Sequence, residues 1–171
     1  MITVFGSLNV DYIFQVSQLP APGETVLAST MQVLPGGKGA NQAVAAARAG
    51  AKVSMVGAVG RDALSKIALA GLLDAGVDTS AIELSTKPTG TAAINVDAHG
   101  ENAITVSSGA NLDARADSLD EKNLTPRTTV LLQMEVPMTA MADLVQRARK
   151  KESCIIWNLA PMQSVDLALL K

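Results

Sequence analysis

The sequence predicts an α/β fold: a mainly parallel sheet with helices on its faces, plus a separate small β-layer. Three observations carry this. Short apolar, β-prone runs at 52–56, 130–134 and 154–157 alternate with helical stretches, the pattern of a parallel sheet. Two extended segments near the N-terminus, 11–16 and 24–33, have only the turn-rich LPAPG between them, at 19–23. Thr91 to Val96, the turn DAHG and Asn102 to Val106 read as a β-hairpin. The last two features stand outside the strand–helix alternation, so they are assigned to the extra β-layer.

Taken in order, Ile2 to Phe5 is the first strand and ends at Gly6. Asn41 to Ala49 is alanine-rich with high helix propensity, and Gly50 is placed to stop it. Lys52 to Val56 is the next buried strand, and the glycines of VGAVGRD, Gly57 and Gly60, read as turn residues after it. Asp62 is placed to cap a helix on which Leu64, Ile67, Ala68, Gly71, Leu72 and Ala75 recur at helical spacing, ending at Gly76. After the hairpin and SSGAN (107–111) comes a polar, partly helical segment. Val130 to Met134 follows as a strand, a helix opens at Pro137, and Cys154 to Trp157 is the last strand. A further amphipathic helix is expected over 165–170.

A chain of 171 residues is one domain's worth, and 48% hydrophobic residues suit a well-cored protein. Net charge is −2, and the one basic cluster, Arg147 to Lys151, closes a helix, where cations complement the dipole. Aromatics make up 2%, too few for single-strand stacking platforms, so nucleic acid is not an expected partner. No run of about 18 apolar residues and no basic leader is present, so no membrane partner is expected and the chain reads as cytoplasmic. Cys154, the single cysteine, reads as a buried thiol and suits a reducing compartment. His99 reads as a solvated turn residue, the methionines as core filler, and Trp157 as packed on the sheet.

The stretch with the most chemistry is PGGKGANQ, 35–42. A Walker loop needs a serine or threonine after its lysine, and Lys38 is followed by Gly39 and Ala40. The dinucleotide pattern G-x-G-x-x-G fails too, because Gln42 stands at the third glycine position. What remains is a glycine-rich turn feeding a helix N-terminus, where free backbone N–H groups could meet ligand oxygens. An ammonium group beside a carboxamide, Lys38 and Asn41, suits a polyhydroxylated ligand; a plain strand-to-helix turn with a solvated lysine is the other reading. GSLNVD (6–11) follows the first strand, a usual place for ligand groups in open α/β sheets, and an extended backbone there points Asn9 and Asp11 the same way.

GSLNVD, LPAPGETV and PGGKGANQAVAAARAGAKVSMVGAVGRD together resemble the PfkB family of carbohydrate kinases, most closely its ribokinase-like members. The likeness continues through TGTAAINVDAHGENAITVSSGAN, LLQMEVP and IIWNLAP, essentially the whole chain. It implies a ribokinase-like three-layer α/β sandwich, with a small β-sheet lid from segments at about 11–34 and 91–106. It further implies an ATP-dependent sugar kinase acting on the primary hydroxyl of D-ribose, and a homodimer formed through the lid. By the same resemblance Asn9, Asp11, Gly37, Lys38, Gly39, Ala40, Asn41 and Glu135 bind the sugar, while Ala92, Ile94 and Val106 shield it. Residue chemistry agrees: carboxylates accept hydroxyl protons while lysine and asparagine donate.

ATP and Mg2+ are implied by the family, with a monovalent cation in the full-length protein. The family's G-A-G-D element, carrying the base and the anion hole, has no match in 1–171, nor does its N-x-x-E element. Gly109-Ala110-Asn111 begins like G-A-G-D but lacks the second glycine and the aspartate. The expectation is therefore an incomplete domain, holding the sugar site without the base or the ATP site and inactive alone. A truncated product is the favoured explanation, over a fragment completed by a second chain or a short binding protein. A non-catalytic sugar-binding or dimerising module, or a kinase for another sugar or nucleoside, is the alternative function.

Overall fold

The computed structural model describes residues 1–162, 164 and 169, so the helix expected over 165–170 falls almost wholly outside the described residues. In chain order the elements are β1 (Ile2–Phe5), β2 (Asn9–Gln15), β3 (Thr30–Gly36), α1 (Lys38–Arg48), β4 (Val53–Gly60) and α2 (Leu64–Asp74). They continue with β5 (Asp78–Ser85), β6 (Gly90–Val96), β7 (Asn102–Ser107), β8 (Thr129–Leu132), α3 (Met138–Lys150) and β9 (Cys154–Trp157). Short 3-10 turns fill much of the stretch between β7 and β8.

Five strands form an all-parallel sheet in the order β5-β4-β1-β8-β9. Strand alternation sends successive residues to opposite faces. On one face Val4, Met55 and Val59 pack with Ala43 of α1 and Leu72 of α2. On the other, Phe5, Val56 and Leu132 pack with Met141 and Leu144 of α3 and with the 3-10 segments. The result is three layers, and it explains why every residue of β4 is buried, since parallel sheets carry cover on both faces. The second sheet, in the order β3-β2-β6-β7, stands apart as the expected small β-layer. Its β2–β3 and β6–β7 pairs are antiparallel, and β2 and β6 run parallel.

Several boundaries differ from the sequence reading. The stretch 24–29 is not strand; pairing with β2 begins at Gln15↔Thr30 and runs to Asn9↔Gly36. Helix α1 starts at Lys38 rather than Asn41, because Gly37 turns the chain at φ 90° and the following amides find acceptors. Gly57 and Gly60 are strand residues, because β4 continues in register with β5 through Gly57↔Ile82 and Gly60↔Ser85. Strand β5 itself was not expected; it is an edge strand with a mixed burial pattern, so its hydrophobic alternation is weak.

Asp62 does accept the Ser65 N–H (3.1 Å), and it also holds both the N–H (2.8 Å) and hydroxyl of Thr89 at the entry to β6. Cys154 corrects the expectation of a buried thiol: it is exposed. It shares the outer face of the edge strand β9 with Ile156, 53% exposed, while Ile155 and Trp157 turn to the core as Trp157 was expected to do.

Candidate functional site

The site is assembled where β1 hands over to β2. Gly6, Ser7 and Leu8 form that link, and the first turn of α1 packs directly against it. A Cβ on Gly39 would lie 2.6 Å from the Ser7 nitrogen, so only glycine allows this approach. Ser7, fully buried, accepts the Ala40 N–H on its carbonyl (3.0 Å) and the Gly39 N–H on its hydroxyl (3.3 Å). The same hydroxyl donates to Glu135, three residues past Leu132 at the end of β8. Glu135 also accepts the Lys38 N–H (3.1 Å) and the Lys38 ammonium (2.8 Å). The Asn41 N–H returns to the Gly37 carbonyl (2.9 Å). The expectation of free amides at this helix N-terminus therefore does not hold: those of 38 to 41 are all used within the protein.

Above this frame lies a cleft of about 110 Å3, lined by Asn9, Asp11, Gly37, Lys38, Asn41 and Glu135 on its polar side. Ala92, Ile94, Ile104 and Val106 of β6 and β7 make its apolar side. Of the residues singled out in the sequence, Gly39 and Ala40 do not line the cleft; both are buried under it. Ile104 was not foreseen. It faces the cleft because β7 presents alternate residues, 104 and 106, to one side.

Asn9 is held by a residue that sequence reasoning passed over. Asn111, 1% exposed, donates to Asn9 Oδ1 (2.8 Å) and to the Leu8 carbonyl (3.2 Å), and accepts the Leu8 N–H (2.9 Å). This fixes the Asn9 amide, whose Nδ2 has no acceptor among the described residues. A Cβ on Gly90 would fall 2.2 Å from Asn9 Oδ1 and 2.4 Å from Asn111 Nδ2, so the arrangement also requires glycine there. A larger cavity of about 310 Å3 adjoins the cleft and shares Asn9, Val106 and Glu135 with it.

The two carboxylates are tuned in opposite directions. Burial pushes Glu135 up, but the hydrogen bonds from Lys38 and Ser7 outweigh it and hold the carboxyl below its usual 4.5. Burial, then the Glu135 charge, raise Asp11 above 3.8, against a smaller pull from Lys38. A group raised in the folded state stabilises the fold fully below 3.8, and that contribution is lost as pH rises through the folded value. Asp11→Asn keeps the neutral form at every pH. It is expected to raise the thermal midpoint at pH 7 by about 1–2 °C, a small gain because the carboxylate is partly solvated. The advantage should disappear below about pH 3; an equal gain at all pH values would mean that charge is not the cause.

A three-layer α/β core with a second sheet walling a small, charged cleft is the frame of the candidate site. The chain belongs to the pfkB carbohydrate kinase family, whose profile it matches over residues 1–169. It is 37% identical over 172 residues to a ribokinase of Haemophilus influenzae, covering 99% of this chain and 56% of that one. It is 40% identical over 162 residues to a ribokinase of Bacillus subtilis, covering 94% and 55%. The solved structure of Arabidopsis thaliana ribokinase complexed with ribose and ATP superposes with a TM-score of 0.84 at 32% identity, covering 99% of this chain and 56% of that one. The chain thus spans about half the length of the curated relatives it matches. Among the described residues no helix is long and apolar enough to cross a membrane.

Proposed function

We propose that this chain carries the sugar-binding part of an ATP-dependent sugar kinase, with D-ribose as acceptor and D-ribose 5-phosphate as product. The observation that carries the reading is convergence. Segments around residues 9, 38, 94, 105 and 135 meet in one cleft with a polar side of donors and acceptors and an apolar side. That composition matches a sugar, which offers hydroxyls at its rim and C–H groups on its faces. The ribokinases among the relatives, one solved with ribose and ATP, support ribose as the ligand. The roles assigned to Asn9, Asp11, Gly37, Lys38, Asn41 and Glu135 are direct contacts; those of Gly39 and Ala40 are to shape the floor.

ATP and Mg2+ belong to the reaction by family, but the described residues do not fit either. The α1 amides that could cradle phosphate are engaged, and no group of three His, Cys, Asp or Glu side chains is gathered to hold a metal among the described residues.

The expected result for the purified 171-residue chain is saturable ribose binding by calorimetry with at most trace turnover in a coupled ATP-consumption assay. Normal turnover would overturn the division of labour. Asp11→Ala should weaken ribose binding by about 1.5–3 kcal/mol, the scale of a charge-assisted hydrogen bond; an unchanged affinity in the folded variant would remove Asp11 from the site. The exposed Met31 and Val33, on one face of β3, favour pairing of two copies through the lid, which sedimentation measures directly. The protein acts in the cytoplasm in this reading.

A further inference from the structure

We propose that Asp11 makes the cleft select sugars by charge, preferring a protonated amino or imino sugar to a neutral polyol and disfavouring sugar acids. The inference rests on the reading of this cleft as a sugar site. Three charged residues line it: Asp11, Lys38 and Glu135. The Lys38 charge is matched, its ammonium 2.8 Å from Glu135 and its own amide on the same carboxylate, so that pair neutralises itself while the ammonium keeps further N–H donors for a hydroxyl. The net charge left over is that of Asp11.

Among the described residues the Asp11 carboxylate accepts no hydrogen bond and joins no ion pair, although it is partly buried. Space is nevertheless kept for it: a Cβ on Gly36, which pairs with Asn9 and lies diagonal to Asp11 across β2–β3, would fall 2.1 Å from Oδ2. A carboxylate with room around it and no donor in the protein takes its donors from the ligand.

The feature that suggested anion binding works the other way. A helix N-terminus attracts anions through free N–H groups. Here the amides of Lys38, Gly39, Ala40 and Asn41 face Glu135, Ser7 and Gly37 instead. An anionic sugar would meet one uncompensated negative charge with no free backbone donor in that turn. A cationic sugar would relieve both the burial of Asp11 and its repulsion from Glu135. At a partly solvated contact the expected discrimination per unit of ligand charge is roughly tenfold.

Calorimetry at low salt and pH 7 with three probes tests this: D-ribose, 1,4-dideoxy-1,4-imino-D-ribitol and D-ribonate. The expected order is imino sugar about tenfold tighter than ribose and ribonate about tenfold weaker, with the spread narrowing at high salt. Asp11→Asn, whose fold is checked by its thermal midpoint, should compress the order to about twofold or less. Equal affinities for all three probes in the parent chain, or an unchanged order in Asp11→Asn, would overturn the proposal. Ribose binding with equal affinities sinks the charge selection and leaves the ribose reading standing. Binding of the imino sugar without ribose does the reverse, and no binding by any probe to the folded parent overturns both.

Discussion

Glu135→Ala should destabilise the chain by about 2–4 kcal/mol, more than any other single substitution in the cleft. One carboxylate collects three donors, the Ser7 hydroxyl and the Lys38 amide and ammonium, and its side chain is 12% exposed. Its removal strands all three, and leaves the lysine ammonium in the first turn of α1, the end of a helix that repels cations. In a chain of this length the thermal midpoint should fall by roughly 5–15 °C.

The pH dependence has a definite sign. The Glu135 carboxyl is held below 4.5, so its stabilisation is present above that value and lost as pH falls through the lowered folded value. The gap between parent and Glu135→Ala is therefore widest at neutral pH and closes in acid. Urea denaturation at pH 7 and pH 3 measures both limbs. A variant as stable as the parent at pH 7 would mean that the Ser7–Glu135–Lys38 frame contributes nothing to the fold. Glu135→Gln, which keeps an acceptor oxygen but not the charge, should lie between the two.

Asn111→Ala comes second, with an expected loss of about 2–4 kcal/mol. The side chain is buried, and its deletion leaves the Leu8 N–H, the Leu8 carbonyl and Asn9 Oδ1 without their partner. Asn111→Asp is the sharper test. It retains the acceptor for Leu8 N–H but replaces the donor Nδ2 with an oxygen facing two other oxygens. At pH 7 it should be at least as damaging as alanine. As pH falls, protonation restores a donor and the variant should recover, whereas Asn111→Ala should not. Denaturation at pH 7 and pH 5 compares the two; parallel behaviour would show that the hydrogen bonds to Asn9 and Leu8 are not what Asn111 supplies.

These two residues show what could be read in advance. Glu135 was singled out, but through likeness to a family and as a ligand for sugar. Its second role, anchoring the first turn of α1, depends on partners 97 and 128 positions away. Asn111 stood at the end of SSGAN, and its sequence context signals only a turn. Ser7 was passed over for the same reason. A small polar residue reads as turn chemistry until the element packed against it is known. Cys154 failed differently. Its apolar context predicts burial in a parallel sheet, but β9 lies at an edge and only its Ile155 and Trp157 side meets the core.

The sequence by itself determined the layer architecture, the hairpin and the last strand. Those properties follow from local periodicity, glycine placement and side-chain type, which neighbouring residues set together. It also excluded the two nucleotide loops at PGGKGANQ, since their mechanisms demand particular residues at particular spacings. Only the tertiary structure decided that the amides of this loop are already occupied. The amides of a helix N-terminus are free or occupied according to what packs against them, and here Ser7 and Glu135 arrive from β1 and β8 to occupy them. The same packing pairs the lysine with a glutamate and leaves Asp11 as the carboxylate of the cleft with no ion pair among the described residues.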